Sequence, residues 1–235
     1  MKSVLVVFLS LLIVSCVNNQ VIRLVDSNGI VSTNYPKIKI KVNDTELTPV
    51  LNHQSDSLNS YKFTSSGRGT YLEPDANGSP NMVFNYYIYA YYPSNLLKKS
   101  LRVSFDSLLS RSRWSKSINR EDTLMSGRFK HKTGTYRTAI YYDYYPNYKA
   151  VNNLSALDKG TPYDISPCYL HKVYQHVLKG IQKKKISITY SEYIECNEAE
   201  SFSNDYGLTT DAKKYLTTFD IRANESFMLE ELQEG

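Results

Sequence analysis

The sequence predicts an α+β fold dominated by a mostly antiparallel sheet, with one well-defined helix near residues 167–181 and a shorter one near 211–216. Three observations lead there. Tyrosine, at 21 residues against 8 phenylalanines and 1 tryptophan, supplies rings that pack onto a sheet while keeping a hydroxyl at the tip. Several stretches alternate apolar and polar residues with a period of two, the pattern of a half-buried strand. One long stretch places apolar residues at helical spacing behind a capping residue and a proline. With 235 residues, 41% hydrophobic and 22% charged, the chain can bury a sizeable core and is too balanced for a disordered tail. Its 10 glycines and 8 prolines, with no fixed-period repeat, exclude collagen-like and solenoid classes.

Residues 17–36 mix Asn, Ser, Asp and Gly with scattered aliphatics and read as a short tether whose middle docks as an edge strand. The single folded domain is expected to start near Lys37, where Lys37, Ile38, Lys39, Ile40, Lys41 and Val42 alternate charge and aliphatic side chains. Asn43 and Asp44 turn the chain, and residues 47–51 return as a partner strand. Strands at 61–63 and 70–72 flank a Gly-containing hairpin connection. The run from Pro74 through Asn77 and Gly78 to Pro80 has the strongest turn chemistry in the chain, and a Tyr-rich strand follows over 82–92. Residues 96–109 fit both periods, with a strand favoured after Leu101. Residues 128–145 read as a hairpin centred on Lys132, Thr133, Gly134 and Thr135.

The expected long helix opens with Ser166 as N-cap and Pro167 at its first position, and carries Leu170, Val173, Tyr174, Val177, Leu178 and Ile181 on one face. Gly180 and Lys183, Lys184 and Lys185 mark its end before a strand over 186–190. The short helix over 211–216 is capped by Thr210, with a strand at 218–222 and an acidic tail beyond.

The first fifteen residues form an export signal: Lys2 precedes an apolar run over 4–14, broken by Ser10 and too short to cross a bilayer as a helix. The run stops at Ile13, Val14, Ser15 and Cys16, a tetrad that resembles the lipobox of bacterial lipoproteins. That resemblance implies cleavage before Cys16, a diacylglycerol thioether on Cys16 and a bilayer partner held through its acyl chains. Paired chains, at about 0.8 kcal/mol per buried methylene, anchor stably where one does not. Val17 stands where Asp would retain such a protein at the inner membrane, so the expected location is the outer membrane, more readily surface-exposed than periplasmic. In its Lys, Asn, Ser and Tyr usage and its size the chain is similar in style to spirochaetal surface lipoprotein antigens, which implies a binding or antigenic role. With Cys16 assigned to lipid, Cys168 and Cys196 remain as an even pair in a disulfide-permissive compartment and are expected to bond.

No nucleophile elbow, phosphate-binding loop, zinc-protease helix or redox Cys-x-x-Cys occurs. Cys168, His171 and His176 form the one metal-like cluster, but on a helix the two imidazoles would point about 140° apart and share no ion. Asp75, Asn77 and Ser79 read as a turn rather than a calcium loop, and the adjacent acids Glu121–Asp122 and Glu230–Glu231 as solvated surface. No metal and no cofactor is expected, and no enzymatic activity.

The formal charge of +5 is unevenly placed. Between 98 and 137 stand Lys98, Lys99, Arg102, Arg111, Arg113, Lys116, Arg120, Arg128, Lys130, Lys132 and Arg137, against Asp106, Glu121 and Asp122. Cations interleaved with aromatic rings can hold phosphates or sulfated sugars, and all of these except Arg120 and Arg137 are taken as anion-binding candidates. The alternative for the same residues is a set of strands that merely put Lys and Arg in water. Export argues against nucleic acid as the partner. The expected role is therefore a non-enzymatic, membrane-anchored lipoprotein that binds an anionic host or envelope macromolecule through a basic, Tyr-rich surface. A periplasm-facing assembly role stands second, and a glycan-acting enzyme third.

Overall fold

A computed structural model describes residues 23–26, 28–33, 36–49, 61–64, 68–74, 80–91, 93, 97–108, 113–118, 120, 122–144, 168–178, 184–204 and 207–232. In chain order the elements are β1 (Arg23–Asp26), β2 (Gly29–Ser32), β3 (Ile38–Val42), β4 (Thr48–Pro49), β5 (Tyr61–Thr64), β6 (Arg68–Pro74), β7 (Pro80–Tyr91) and β8 (Lys99–Leu108). Then come β9 (Met125–His131), β10 (Gly134–Tyr144), β11 (Cys168–Val177), β12 (Lys184–Tyr193), α1 (Cys196–Glu200), β13 (Ser203–Asn204), β14 (Gly207–Leu208), α2 (Thr210–Glu225) and β15 (Phe227–Glu231). The signal segment, Cys16 and residues 17–22 of the tether lie outside the described residues.

The large sheet has nine strands in the order β5-β6-β7-β8-β12-β11-β10-β9, with β4 paired to β7, and every pairing is antiparallel. It consists of two four-stranded meanders, β5 to β8 and β9 to β12, joined where β8 meets β12. The small sheet runs β1-β2-β3-β15. At the β1–β2 turn Gly29 has φ +144°, and a Cβ there would sit 2.0 Å from the Ile40 carbonyl oxygen, so only glycine lets β2 approach β3.

Alternation places the core on one face of the large sheet. Leu101, Val103 and Phe105 of β8 and Ile186, Ile188 and Tyr190 of β12 are buried, as are Leu170 and Tyr174 of β11. They meet the buried stripe Ala212, Leu216, Phe219 and Ala223 of α2 and the inner face of the small sheet, Ile30, Ile38, Ile40, Phe227 and Leu229. Each fully buried Leu, Ile or Phe contributes roughly 1.5–3 kcal/mol, so this seam holds the two sheets together.

The strand-dominated, antiparallel character expected from the sequence is present, with two helices, one longer. Three expectations are overturned. Residues 168–177 form β11, not a helix: the strand lies between β10 and β12 and is buried on both faces, so its apolar residues satisfy a helical period without a polar alternate. The expected cap at Ser166 and Pro167 lies outside the described residues. The second helix is longer than expected and continues through the segment read as a strand at 218–222, with Thr209 rather than Thr210 as N-cap, its side chain accepting from the Ala212 N–H. The β-branched pair Thr217 and Thr218 fits the helix because both hydroxyls donate back to the Lys213 and Lys214 carbonyls, at 2.7 and 3.1 Å. The acidic end is not a tail as far as Glu231: it forms β15, where Glu230 lies opposite Lys39 and pairs with it at 3.1 Å.

Two smaller points differ as well. The middle of the stretch read as a tether docks as an edge strand, as expected, but with β2 beside it: β1 and β2 extend the small sheet ahead of Lys37. The strand after Asn43 pairs with β7, not β3, with Thr48 opposite Ala90. Cys168 and Cys196 are bonded, with Cα atoms 5.3 Å apart, and tie the start of β11 to the start of α1.

Candidate functional site

The second face of the large sheet mixes apolar residues, Ile88, Ala90 and Ala139 among them, with most of the sheet's polar side chains. By register it presents Ser100, Arg102, Ser104 and Asp106 from β8, Lys185, Ser187, Thr189 and Ser191 from β12, His171 and Gln175 from β11, Arg137 from β10, and Arg128 and Lys130 from β9. The connection from β8 to β9 crosses this face from the sheet's centre to its far edge. Along it the Lys185 ammonium sits 3.8 Å over the Trp114 ring, the Ser115 carbonyl accepts from Gln175 Nε2 at 3.1 Å, and the Arg120 guanidinium stacks 3.6 Å over Tyr141.

Beneath this crossing the charges are paired. Asp106, 3% exposed, accepts from Ser104 and lies 3.3 Å from Lys185; burial raises its pKa, and Lys185 opposes the shift. Arg120 bridges Asp122 and Asp143 at 2.7 and 2.8 Å, and its own pKa is raised chiefly by the bond to Asp122. His171 is buried, 6% exposed. Its Nδ1 lies 2.8 Å from Ser191 Oγ, and its Nε2, 3.5 Å from Asp143 Oδ2, has no hydrogen bond. Desolvation pushes its pKa down to about 4, against the pull of Asp143. Ser191, His171 and Asp143 share types with a hydrolytic triad, yet Ser191 is buried and the groove described below does not open on it.

Toward the far edge the pattern changes. Arg128 and Arg137 are direct cross-strand partners on one face, an arrangement that disfavours folding through like-charge repulsion. Lys116, from the crossing connection, joins them, and the three line a groove of about 440 Å³ together with His131, Gln175 and His176. All three cations are exposed, and none has an acidic partner within 4.0 Å among the described residues. Lys130 continues the row along β9, opposite Thr135. The groove floor is shaped by Gly134, whose φ of +145° admits no ordinary side chain: a Cβ would lie 2.5 Å from His176 Cε1. His176 Nδ1 donates to the Thr135 carbonyl at 2.9 Å, which fixes the ring. His131 accepts at Nδ1 from the Thr133 N–H at 3.2 Å, and its pKa is lowered by burial and then by Lys132.

Of the residues expected to bind anions, Lys116 and Arg128 come together here, with Lys130 beside them and Lys132 exposed in the β9–β10 turn. Arg113 is exposed at the start of the crossing segment, and Arg111 lies outside the described residues. Lys98, Lys99 and Arg102 are engaged elsewhere: Lys98 sits 3.9 Å over Tyr193, Lys99 pairs with Glu46 and with Asp44 at 3.3 Å, and Arg102 lies 4.9 Å from the Tyr86 ring. Arg137, His131, Gln175 and His176 were not singled out from the sequence as anion ligands. His171 and His176, five residues apart on a strand, face opposite sides of the sheet, so they share no ion, for a different reason from the helical one. No group of three or more metal-ligating side chains occurs among the described residues, and no described helix is long and apolar enough to cross a membrane.

No protein-family model, curated protein or solved structure matches this chain.

Proposed function

We propose that the chain is a non-enzymatic bacterial lipoprotein, anchored at the outer membrane through acylated Cys16, whose groove between β9, β10 and β11 binds a polyanion of the host surface or cell envelope. The observation that carries the binding reading is the opposition of Arg128 and Arg137, with Lys116 beside them, without a neighbouring carboxylate among the described residues. A chain that only needed solubility would interleave acids there, as it does around Arg120. Three cations and the Gln175 amide on one side suit the sulfate or phosphate groups of an extended glycan.

Binding of heparin, a sulfated glycan, to the mature chain tests this by titration across salt. The expected affinity falls steeply with ionic strength, and Arg128→Glu with Arg137→Glu weakens it more than about tenfold, since each charge-assisted contact is worth about 1.5–3 kcal/mol. Binding that survives about 1 M salt, where screening reaches about 3 Å, or that ignores both reversals, refutes the groove. Protease treatment of intact cells, with a periplasmic protein as leakage control, tests the location: cleavage is expected, and protection would favour the periplasm-facing role.

A further inference from the structure

The exposed large hydrophobic residues among those described are Leu24, Ile221 and Met228, at 61%, 50% and 42%. Apolar side chains scattered singly over a surface need no explanation, but these three stand on one side of the molecule. In the small sheet Leu24 lies opposite Val31, Val31 opposite Lys39, and Met228 opposite Lys41. This is the sheet's outer face, because the alternate set, which includes Ile40, Phe227 and Leu229, is buried, with Phe227 packed on Tyr174 of the large sheet. Ile221 joins from α2. The helix turns its buried stripe toward the large sheet, where Phe219 meets Tyr190 and Arg222 pairs with Glu192. At about 100° per residue Ile221 lies about 170° from the centre of that stripe, so it points away from the large sheet, as the small sheet's outer face does. All three therefore lie on the side opposite the polyanion groove.

The tether enters the same layer. Seven residues lead from Cys16 to Arg23, the start of edge strand β1. A chain spans at most about 3.3–3.6 Å per residue, so an acylated Cys16 stays within about 25 Å of β1 whatever path the link takes. A face held that close meets the bilayer at high effective concentration, and contacts too weak to bind a free protein then suffice. The charge of this side is mixed. Lys39 is paired with Glu230 at 3.1 Å, Lys41 and Lys214 are exposed, and so are Asp211 and Glu225. Apolar contact and the tether, rather than net charge, would hold it.

We propose that this layer is seated on the bilayer that holds the acyl chains, with Leu24, Ile221 and Met228 at headgroup level and Lys41 and Lys214 reaching lipid phosphates. The proposal rests on the lipoprotein reading, through Cys16. Seated so, the groove on the second face of the large sheet points away from the membrane, clear of its anionic headgroups and open to a polyanion arriving from the aqueous side.

Quenching of tryptophan by brominated lipid tests the seating. The mature chain is coupled through Cys16 to a maleimide lipid in vesicles of phosphatidylcholine and phosphatidylglycerol, Cys168 and Cys196 being bonded to each other. The native Trp114, beneath Lys185 on the second face, is the internal control. Leu24→Trp and Ile221→Trp should each lose at least about half of their added emission on brominated lipid, whereas Trp114 and Lys130→Trp, an introduced ring on the second face, should lose less than about a tenth. Met228→Glu should weaken the quenching of Leu24→Trp at least about twofold. Salt at about 1 M should leave the quenching unchanged while it abolishes heparin binding, which separates this side from the groove. Unquenched Leu24→Trp or Ile221→Trp in the attached, folded protein, or equal quenching of Lys130→Trp, overturns the seating and leaves the lipoprotein reading standing. The mass of the N-terminal peptide of the cell-made protein reads acylation separately: a peptide without diacylglycerol overturns that reading and the seating with it. Self-association of the unlipidated chain that Leu24→Glu abolishes would assign the face to a second copy and likewise overturn the proposal.

Discussion

Acidification should unfold this protein through His171, and the size of the effect follows from its enclosure. The imidazole is buried against Tyr141, Tyr169 and Ser191, and desolvation pushes its pKa down from the ordinary 6.5 to about 4. Between those values the unfolded chain binds a proton that the native chain refuses, so stability is constant above pH 6.5 and falls as pH drops toward 4. One pH unit in that window is worth about 1.36 kcal/mol, which gives a loss of about 2 kcal/mol by pH 5 and about 3 kcal/mol by pH 4. Asp122, whose pKa is lowered chiefly by its bond to Arg120, acts on the same ring, so the wild type alone does not isolate the His171 contribution. His171→Asn removes it while keeping a polar partner for Ser191. Urea unfolding of both proteins from pH 8 to pH 4 should give a stability difference that is flat above pH 7 and shifts toward the variant by about 2 kcal/mol at pH 5. A difference that stays constant across that range would refute the reasoning.

Other consequences are simpler to measure. Reduction of the Cys168–Cys196 bond, separated by 28 residues, should lower stability by about 3–4 kcal/mol in the chain-entropy model, read as a fall in the urea midpoint; an unchanged midpoint would count against it. Gly134→Ala should cost about 1–3 kcal/mol and move the His176 imidazole resonances, because both the positive φ and the ring contact forbid a methyl group; a silent spectrum would mean the turn rearranges freely. Thr209→Ala removes the acceptor for the Ala212 N–H and should cost about 1 kcal/mol by thermal unfolding, whereas Thr210→Ala should cost little, and the reverse ranking would place the cap wrongly.

What the sequence made legible depended on whether one face of an element meets water. The strand at 38–42 and the strands of the β5–β6 and β9–β10 hairpins were readable because polar alternation or glycine-bearing turns marked them. The strand β11 was not, since Tyr169, Leu170, His171 and Lys172 are all buried and no polar period survives. That misreading had a cost at the groove, because a helical His176 cannot be seen to stand beside Thr135. The charge cluster as a whole was visible, but which cations converge was not. Lys99 finds Asp44 and Glu46 from a distant segment, while Arg128 stands opposite Arg137, and such pairings are set by register and tertiary contact. Arg137 could have been found, because the hairpin centred on Lys132 to Thr135 already places it opposite Arg128.

The junction of β8 with β12 bears on how this chain reaches its native state. Each meander is built from neighbours in sequence, such as His131 with Gly134, and can assemble early with little loss of loop entropy. Phe105 and Ile186 pair across the whole second meander, which makes that seam the high contact-order pairing of the sheet. Truncating Ile188 at the seam should therefore chiefly accelerate unfolding and leave the refolding rate little changed, whereas a lesion in the β9–β10 turn should slow refolding. Until the seam closes, the outer edges of β8 and β12 are open templates for another copy of the chain, so the junction is also where misassembly during folding would begin.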